Sequence, residues 1–156
     1  MRVLFVCTGN TCRSALAEAI AAREAGARAM HDVIPSSAGT SAWDGAPASD
    51  GALLVGIERH LDVNSHRSRQ LTKEIVGQSD LILAMGPHHL ERIEALGGSG
   101  KGFLLSDFAS YGASVRPISD PIGAELDVYR ATTDELEEEI RRVMDRIMAE
   151  RSSGTT

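Results

Sequence analysis

Residues 3–20 read VLFVCTGNTCRSALAEAI, and this stretch decides the fold. Val3 to Val6 is an unbroken apolar run, too short for a helix, of the kind a strand buried on both faces carries. Leu16, Ala19 and Ile20 recur at the helical period, which starts a helix near Arg13 or Ser14. Only a short loop separates the two. A strand that turns straight into a helix is half of a βαβ unit, and the rest of the chain repeats the alternation.

Working outward, Ser49 stands ready to cap a helix carrying Leu53, Leu54, Ile57 and Leu61. Asp80 precedes a second buried-strand run, Leu81 to Met85. Pro87 suits a first helical turn, Leu90, Ile93 and Leu96 make its stripe, and Gly97 suits its stop. Residues 102–105, GFLL, read as a further strand. Near the end, Thr132 and Glu135 have capping-box spacing ahead of an apolar stripe of Leu136, Ile140, Val143 and Ile147. This predicts an α/β fold with a parallel sheet and helices on both faces. One domain is expected over residues 1–150, with a flexible tail over 151–156. In such folds ligands sit at the carboxyl ends of the strands, where the loop from Cys7 to Ser14 must lie.

Composition sets the surroundings. A chain of 156 residues makes one ordinary domain, and 42% hydrophobic with 24% charged residues suits a soluble one. No apolar run approaches the ~20 residues of a membrane span, and no secretory leader is evident. Two cysteines make no disulfide scaffold, so a reducing cytoplasm is the expected setting. A net charge of −6 argues against nucleic-acid and anionic-membrane partners. Any phosphate must therefore be held by a local site.

The loop can be that site. Backbone curled between Cys7 and the helix start turns N–H groups inward, and the helix end adds partial positive charge. The cradle so formed, Thr8, Gly9, Asn10, Thr11, Cys12, Arg13 and Ser14, suits a phosphate-sized oxyanion. Gly9 permits close approach or a positive φ, and Asn10 tolerates the left-handed region. Arg13 can grip two phosphate oxygens through its planar fork. Among those dipoles a thiol at Cys7 becomes a nucleophilic thiolate. An isolated buried cysteine is ordinarily just a small hydrophobe. The Cys7–Cys12 pair has no second pair to complete a zinc site, and the Gly-Lys-Ser/Thr ending of a Walker loop is absent. No metal and no cofactor is expected. A leaving group needs a proton, and Asp120, ahead of Pro121 on a turn-forming stretch, is the candidate acid.

With these residues in place, the sequence resembles the low-molecular-weight protein phosphatases. The resemblance runs through VCTGNTCRSALAEA at the start, SSAGTSAW at 36–43, SHRSRQLTKE at 65–74, SDLILAM at 79–85 and SDPIG at 119–123. It implies a three-layer sandwich with a four-stranded parallel sheet and a metal-free, two-step hydrolysis of a phosphorylated protein, releasing inorganic phosphate. Cys7 would become a phosphocysteine, Arg13 and the loop amides would hold the phosphoryl oxygens, and Asp120 would be acid and then base. Asn10, Ser14 and His66 match a network that fixes the loop. Cys12 matches a second cysteine that pairs reversibly with the first, protecting it from overoxidation. A monomer or weak dimer is expected.

Substrate class turns on three positions. Members acting on phosphotyrosine usually carry Ile in place of Thr11 and aromatic residues after the Asp-Pro pair, where this chain has Ile122 and Gly123. That pattern resembles the protein-arginine-phosphatase branch. Trp43 pulls towards phosphotyrosine, because it matches an aromatic wall that stacks on the substrate ring. An arsenate reductase on the same fold would need redox cysteines after Cys12, and there are none. An inactive phosphopeptide-binding module would be expected to lack Cys7, Arg13 or Asp120.

Overall fold

Alternating burial in the first strand builds two cores at once. The computed structural model describes residues 1–153. Strand β1, Arg2–Cys7, sends Val3, Phe5 and Cys7 into one apolar cluster and Leu4 and Val6 into another. Strand β3, Leu81–Ala84, does the same: Leu81 and Leu83 join the first cluster, Ile82 and Ala84 the second. A sheet whose both faces are apolar needs a helical layer on each side. The first layer comprises α1 (Arg13–Ala27), α2 (Asp50–Arg59), α5 (Leu105–Ala109) and α6 (Leu126–Ser153). The second comprises α3 (Lys73–Gln78) and α4 (Pro87–Ala95).

The remaining strands are β2, Ile34–Gly39, and β4, Gly102–Leu104. All pairings are parallel, in the order β2-β1-β3-β4. The three-layer, four-stranded parallel architecture expected from the sequence is the one observed. β1 lies between strands reached by separate crossovers, so the loop after Cys7 opens at the topological switch point of the sheet.

Several elements depart from the reading of the sequence. In α2, Ser49 does cap the helix, its hydroxyl accepting the Ala52 N–H, but Leu54 and Ile57 face outward and the buried face is Ala52, Val55 and Gly56. The helix stops at Arg59, and His60 takes a left-handed φ of 56°, so Leu61 lies beyond it. Thr132 and Glu135 form no capping box, because α6 begins at Leu126 and Thr132 is buried inside it. The neighbouring Thr133 returns its hydroxyl to the Tyr129 carbonyl at 2.7 Å, which lets a threonine pair sit mid-helix. Of the GFLL run only three residues are strand, since Leu105 already opens α5. Helix α6 continues through Arg151, Ser152 and Ser153, which the sequence reading gave to a tail; residues 154–156 lie outside the described residues.

Candidate active site

The loop from Thr8 to Cys12 is held by backbone hydrogen bonds from behind and at its far lip. Behind it, the Thr40 and Ser41 N–H groups donate to the Cys7 and Thr8 carbonyls at 2.9 and 3.0 Å. At its far lip the Ser49 N–H donates to the Thr11 carbonyl at 2.9 Å. Gly39 makes the close packing possible, because a Cβ there would stand 2.4 Å from the Thr8 carbonyl oxygen. Asn10 carries the left-handed turn, φ 56°, whereas Gly9 has no positive φ. Among the described residues, no backbone N–H from Gly9 to Cys12 donates to another backbone group. Those donors are left for a ligand.

A chain of polar contacts runs from the sulfur outward. Cys7 Sγ lies 2.9 Å from Ser14 Oγ. The Asn10 side-chain amide donates to Ser14 Oγ at 2.8 Å, and its Oδ1 accepts the Arg69 N–H at 3.0 Å. His66 Nε2 stands 2.6 Å from the Asn10 carbonyl oxygen. Cys7, Asn10, Ser14 and His66 are all buried. Asn10, Ser14 and His66, matched to one network by resemblance, meet in space. Asparagine enters the left-handed region more readily than most residues, and here His66, Arg69 and Ser14 hold Asn10 in it.

Arg13 opens α1 with only 5% of its surface exposed. One Nη donates to the Ile118 carbonyl at 3.0 Å, the other lies 3.4 Å from Asp120 Oδ2, and Nε is buried with no partner. A buried guanidinium N–H without an acceptor is a standing demand for an oxyanion. Asp120, its side chain 42% exposed, sits at the mouth and accepts the Ile122 N–H at 3.1 Å. Cys12 Sγ approaches the same carboxylate at 3.6 Å. Burial, then the neighbouring Cys7, pushes the Cys12 thiol up to about 12. Both cysteines are free thiols.

Trp43 is 86% exposed, so it is not a core residue, and Ile122 is 57% exposed on the loop that carries Asp120. Two further residues escaped the sequence reading. His89, fully buried in the first turn of α4, places Nε2 2.8 Å from Thr8 Oγ1 and leaves Nδ1 without a partner. Burial, then His88 and Arg13, lowers its pKa to about 4, so the ring is neutral at physiological pH. An unpaired acceptor nitrogen costs less than an unpaired N–H, which assigns the proton to Nε2 and the donor role to His89. Tyr129, on α6, puts its hydroxyl 3.2 Å from Ser49 Oγ, behind the lip. Neither has a local signal, because each reaches the loop from a distant element.

A buried sulfur, a guanidinium with an open donor, unpaired loop amides and a carboxylate thus converge on a space fit for a tetrahedral oxyanion. Among the described residues no group of three or more His, Cys, Asp or Glu stands together as metal ligands. The family model described as "Low molecular weight phosphotyrosine protein phosphatase" matches residues 2–153. The protein-arginine-phosphatase of Bacillus subtilis (strain 168) is 36% identical over 153 residues, 97% of this chain and 99% of that protein. The low molecular weight protein-tyrosine-phosphatase PtpB of Staphylococcus haemolyticus (strain JCSC1435) is 36% identical over 137 residues, 87% of this chain and 92% of that one. The solved structure described as "YwlE arginine phosphatase - C7S mutant with phosphorylated active site serine" superposes with a TM-score of 0.90 at 36% identity, covering 97% of this chain and 99% of that one.

Proposed function

The chain belongs to the low molecular weight phosphotyrosine protein phosphatases, and we propose that within that family it hydrolyses phosphoarginine in proteins. The phosphoryl group enters the cradle, where Arg13 and the loop amides take its equatorial oxygens. The Cys7 thiolate attacks phosphorus, an S–P bond forms, and the P–N bond to the guanidine breaks. Asp120 gives its proton to the departing nitrogen. Asp120 then takes a proton from water as that water attacks phosphorus, the S–P bond breaks, and inorganic phosphate leaves with the thiolate restored. Ser14, next to the sulfur, supports its negative charge, while Asn10 and His66 hold the loop. Cys12 is the redox partner. Residues 1–150 act as one phosphatase unit without a cofactor, in the reducing cytoplasm, as a monomer or weak dimer.

The observation that carries the substrate class is Thr11 at the lip of the cradle, fixed there by the Ser49 N–H. Its hydroxyl supplies a polar group that an isoleucine lacks: a phosphoramidate carries a polar guanidinium beside phosphorus, where phosphotyrosine carries a flat ring. A second reading, phosphotyrosine, rests on the exposed indole of Trp43, although an indole also stacks on a guanidinium.

Peptides carrying phosphoarginine and phosphotyrosine, turned over side by side, test the choice. Wild type should favour phosphoarginine, and Thr11→Ile should shift relative kcat/KM towards phosphotyrosine by roughly ten- to a hundredfold, the worth of one misplaced side-chain group. A wild type that favours phosphotyrosine, unmoved by the substitution, would make Trp43 the selector and this enzyme a tyrosine phosphatase.

A further inference from the structure

Beside the cradle lies a recess of about 420 Å³, between the start of α2 and the turn that follows Asp120. Its walls are Leu54, 50% exposed, and Ile122, and its floor is the ring of Tyr129. Gly51 shapes that floor, since a Cβ there would stand 2.5 Å from the tyrosine ring; only glycine lets the ring lie against the helix. Both ends of the recess are tied to the cradle. The Ile122 N–H bonds Asp120, and the Tyr129 hydroxyl bonds Ser49, whose N–H holds the Thr11 carbonyl.

Charge around the recess has one sign. Asp50 lines it and Glu125 sits on the turn, both exposed, and among the described residues neither makes an ion pair. No cationic side chain lines it. A protein substrate that puts a phosphorylated side chain into the cradle must lay its backbone across the lip. Extended chain advances about 3.3 Å per residue, so residues about two or three away fall over the neighbouring surface. Two half-exposed aliphatic walls over an aromatic floor are a poor surface to leave in water and a good one for an apolar side chain.

We propose that this recess docks an apolar side chain of the phosphoprotein substrate, about two or three residues from the phosphorylated one, with a basic neighbour facing Asp50 and Glu125. The proposal rests on the protein-phosphatase reading but not on the choice of phosphoarginine.

The test is a panel of phosphoarginine peptides in a glycine–alanine background, with leucine, leucine plus lysine, or glutamate near the phosphorylated residue, assayed beside p-nitrophenyl phosphate, which fills only the cradle. Wild type should turn over the leucine–lysine peptides roughly tenfold better in kcat/KM than the plain background, and the glutamate peptides worse. Leu54→Glu, at an exposed helical position, should erase that preference and leave p-nitrophenyl phosphate hydrolysis within about twofold; Leu54→Ala should do so in part. Indifference of wild type to the flanking residues, or an equal fall of peptide and p-nitrophenyl phosphate turnover in Leu54→Glu, overturns the recess. Should wild type act only on phosphotyrosine peptides, the same flanking series on those supports the recess if the preference appears and overturns it if not, while the phosphoarginine reading fails separately.

Discussion

Asp120 stands at the mouth against a guanidinium with its side chain partly exposed, a position suited to a residue that gives up and regains a proton. If it protonates the leaving group, Asp120→Asn should cost about 10²–10⁴-fold in kcat for a poorly leaving alcohol or guanidine. It should cost far less for p-nitrophenyl phosphate, whose phenolate leaves unaided. Equal losses across a leaving-group series would remove Asp120 from the acid role. Cys12 stands beside the same carboxylate. With its thiol pushed up to about 12 it remains protonated at neutral pH and is a slow attacking group in any disulfide exchange. The cradle residues were legible in the sequence because Cys7, Arg13 and Ser14 sit within eight residues of one another, and the chemistry of the motif is carried by that spacing. Asp120 was legible only beside them. The reason Asn10, and not Gly9, adopts the left-handed turn was not legible: it depends on His66 and Arg69, which approach from more than fifty positions away.

Helix α4 reaches the cradle through the neutral His89 ring on the Thr8 hydroxyl. This makes His89 a positioning residue, and its loss should be felt in turnover. His89→Leu removes a buried hydrogen bond typically worth about 0.5–1.5 kcal/mol, or roughly two- to tenfold if it all appears in kcat/KM. His89→Gln, which offers an amide N–H of similar reach, should recover most of it. A purely structural role would lower the melting temperature of both variants alike and leave kcat/KM untouched. The buried strands β1 and β3 were legible as apolar runs and α1 and α4 as stripes, whereas α2 was legible through its Ser49 cap and not through the face it buries. Strand β2 was not, because Pro35, Ser36 and Ser37 carry no apolar run. It is held as a strand by its parallel register with β1 and by the Arg69 side chain on the Ser37 carbonyl. The start of α6 was misplaced because its first turn packs through Leu126 and Tyr129, a tertiary reason that outweighs local capping spacing.

Across the molecule, Glu137 fastens α6 to α1 and α2. Its carboxylate, 10% exposed, takes Arg23 at 2.7 Å, Arg59 at 2.6 Å and Arg141 at 3.4 Å. Burial works to raise the Glu137 pKa, and the hydrogen bonds from Arg23 and Arg59 outweigh it, leaving the carboxyl below its usual range. A depressed carboxyl stabilises the fold fully above its unfolded pKa, about 4.3, and progressively less as pH falls through the folded one. Glu137→Gln should therefore cost about 1–2 kcal/mol at neutral pH, less than a fully buried pair because the three arginines keep access to water. The gap between variant and wild type in urea unfolding should close on acidification below about pH 4; a gap independent of pH would assign the loss to packing. The long-range ties have a further consequence for how this protein is made. Arg13 is seated by the carbonyl of Ile118, 105 positions along the chain, and Asp120 follows two residues later. A ribosome that has delivered the cysteine motif has therefore not yet delivered the seat of its arginine. The nascent chain must grow 105 residues past Arg13 before the guanidinium meets its carbonyl seat, and then add the carboxylate that stands beside it.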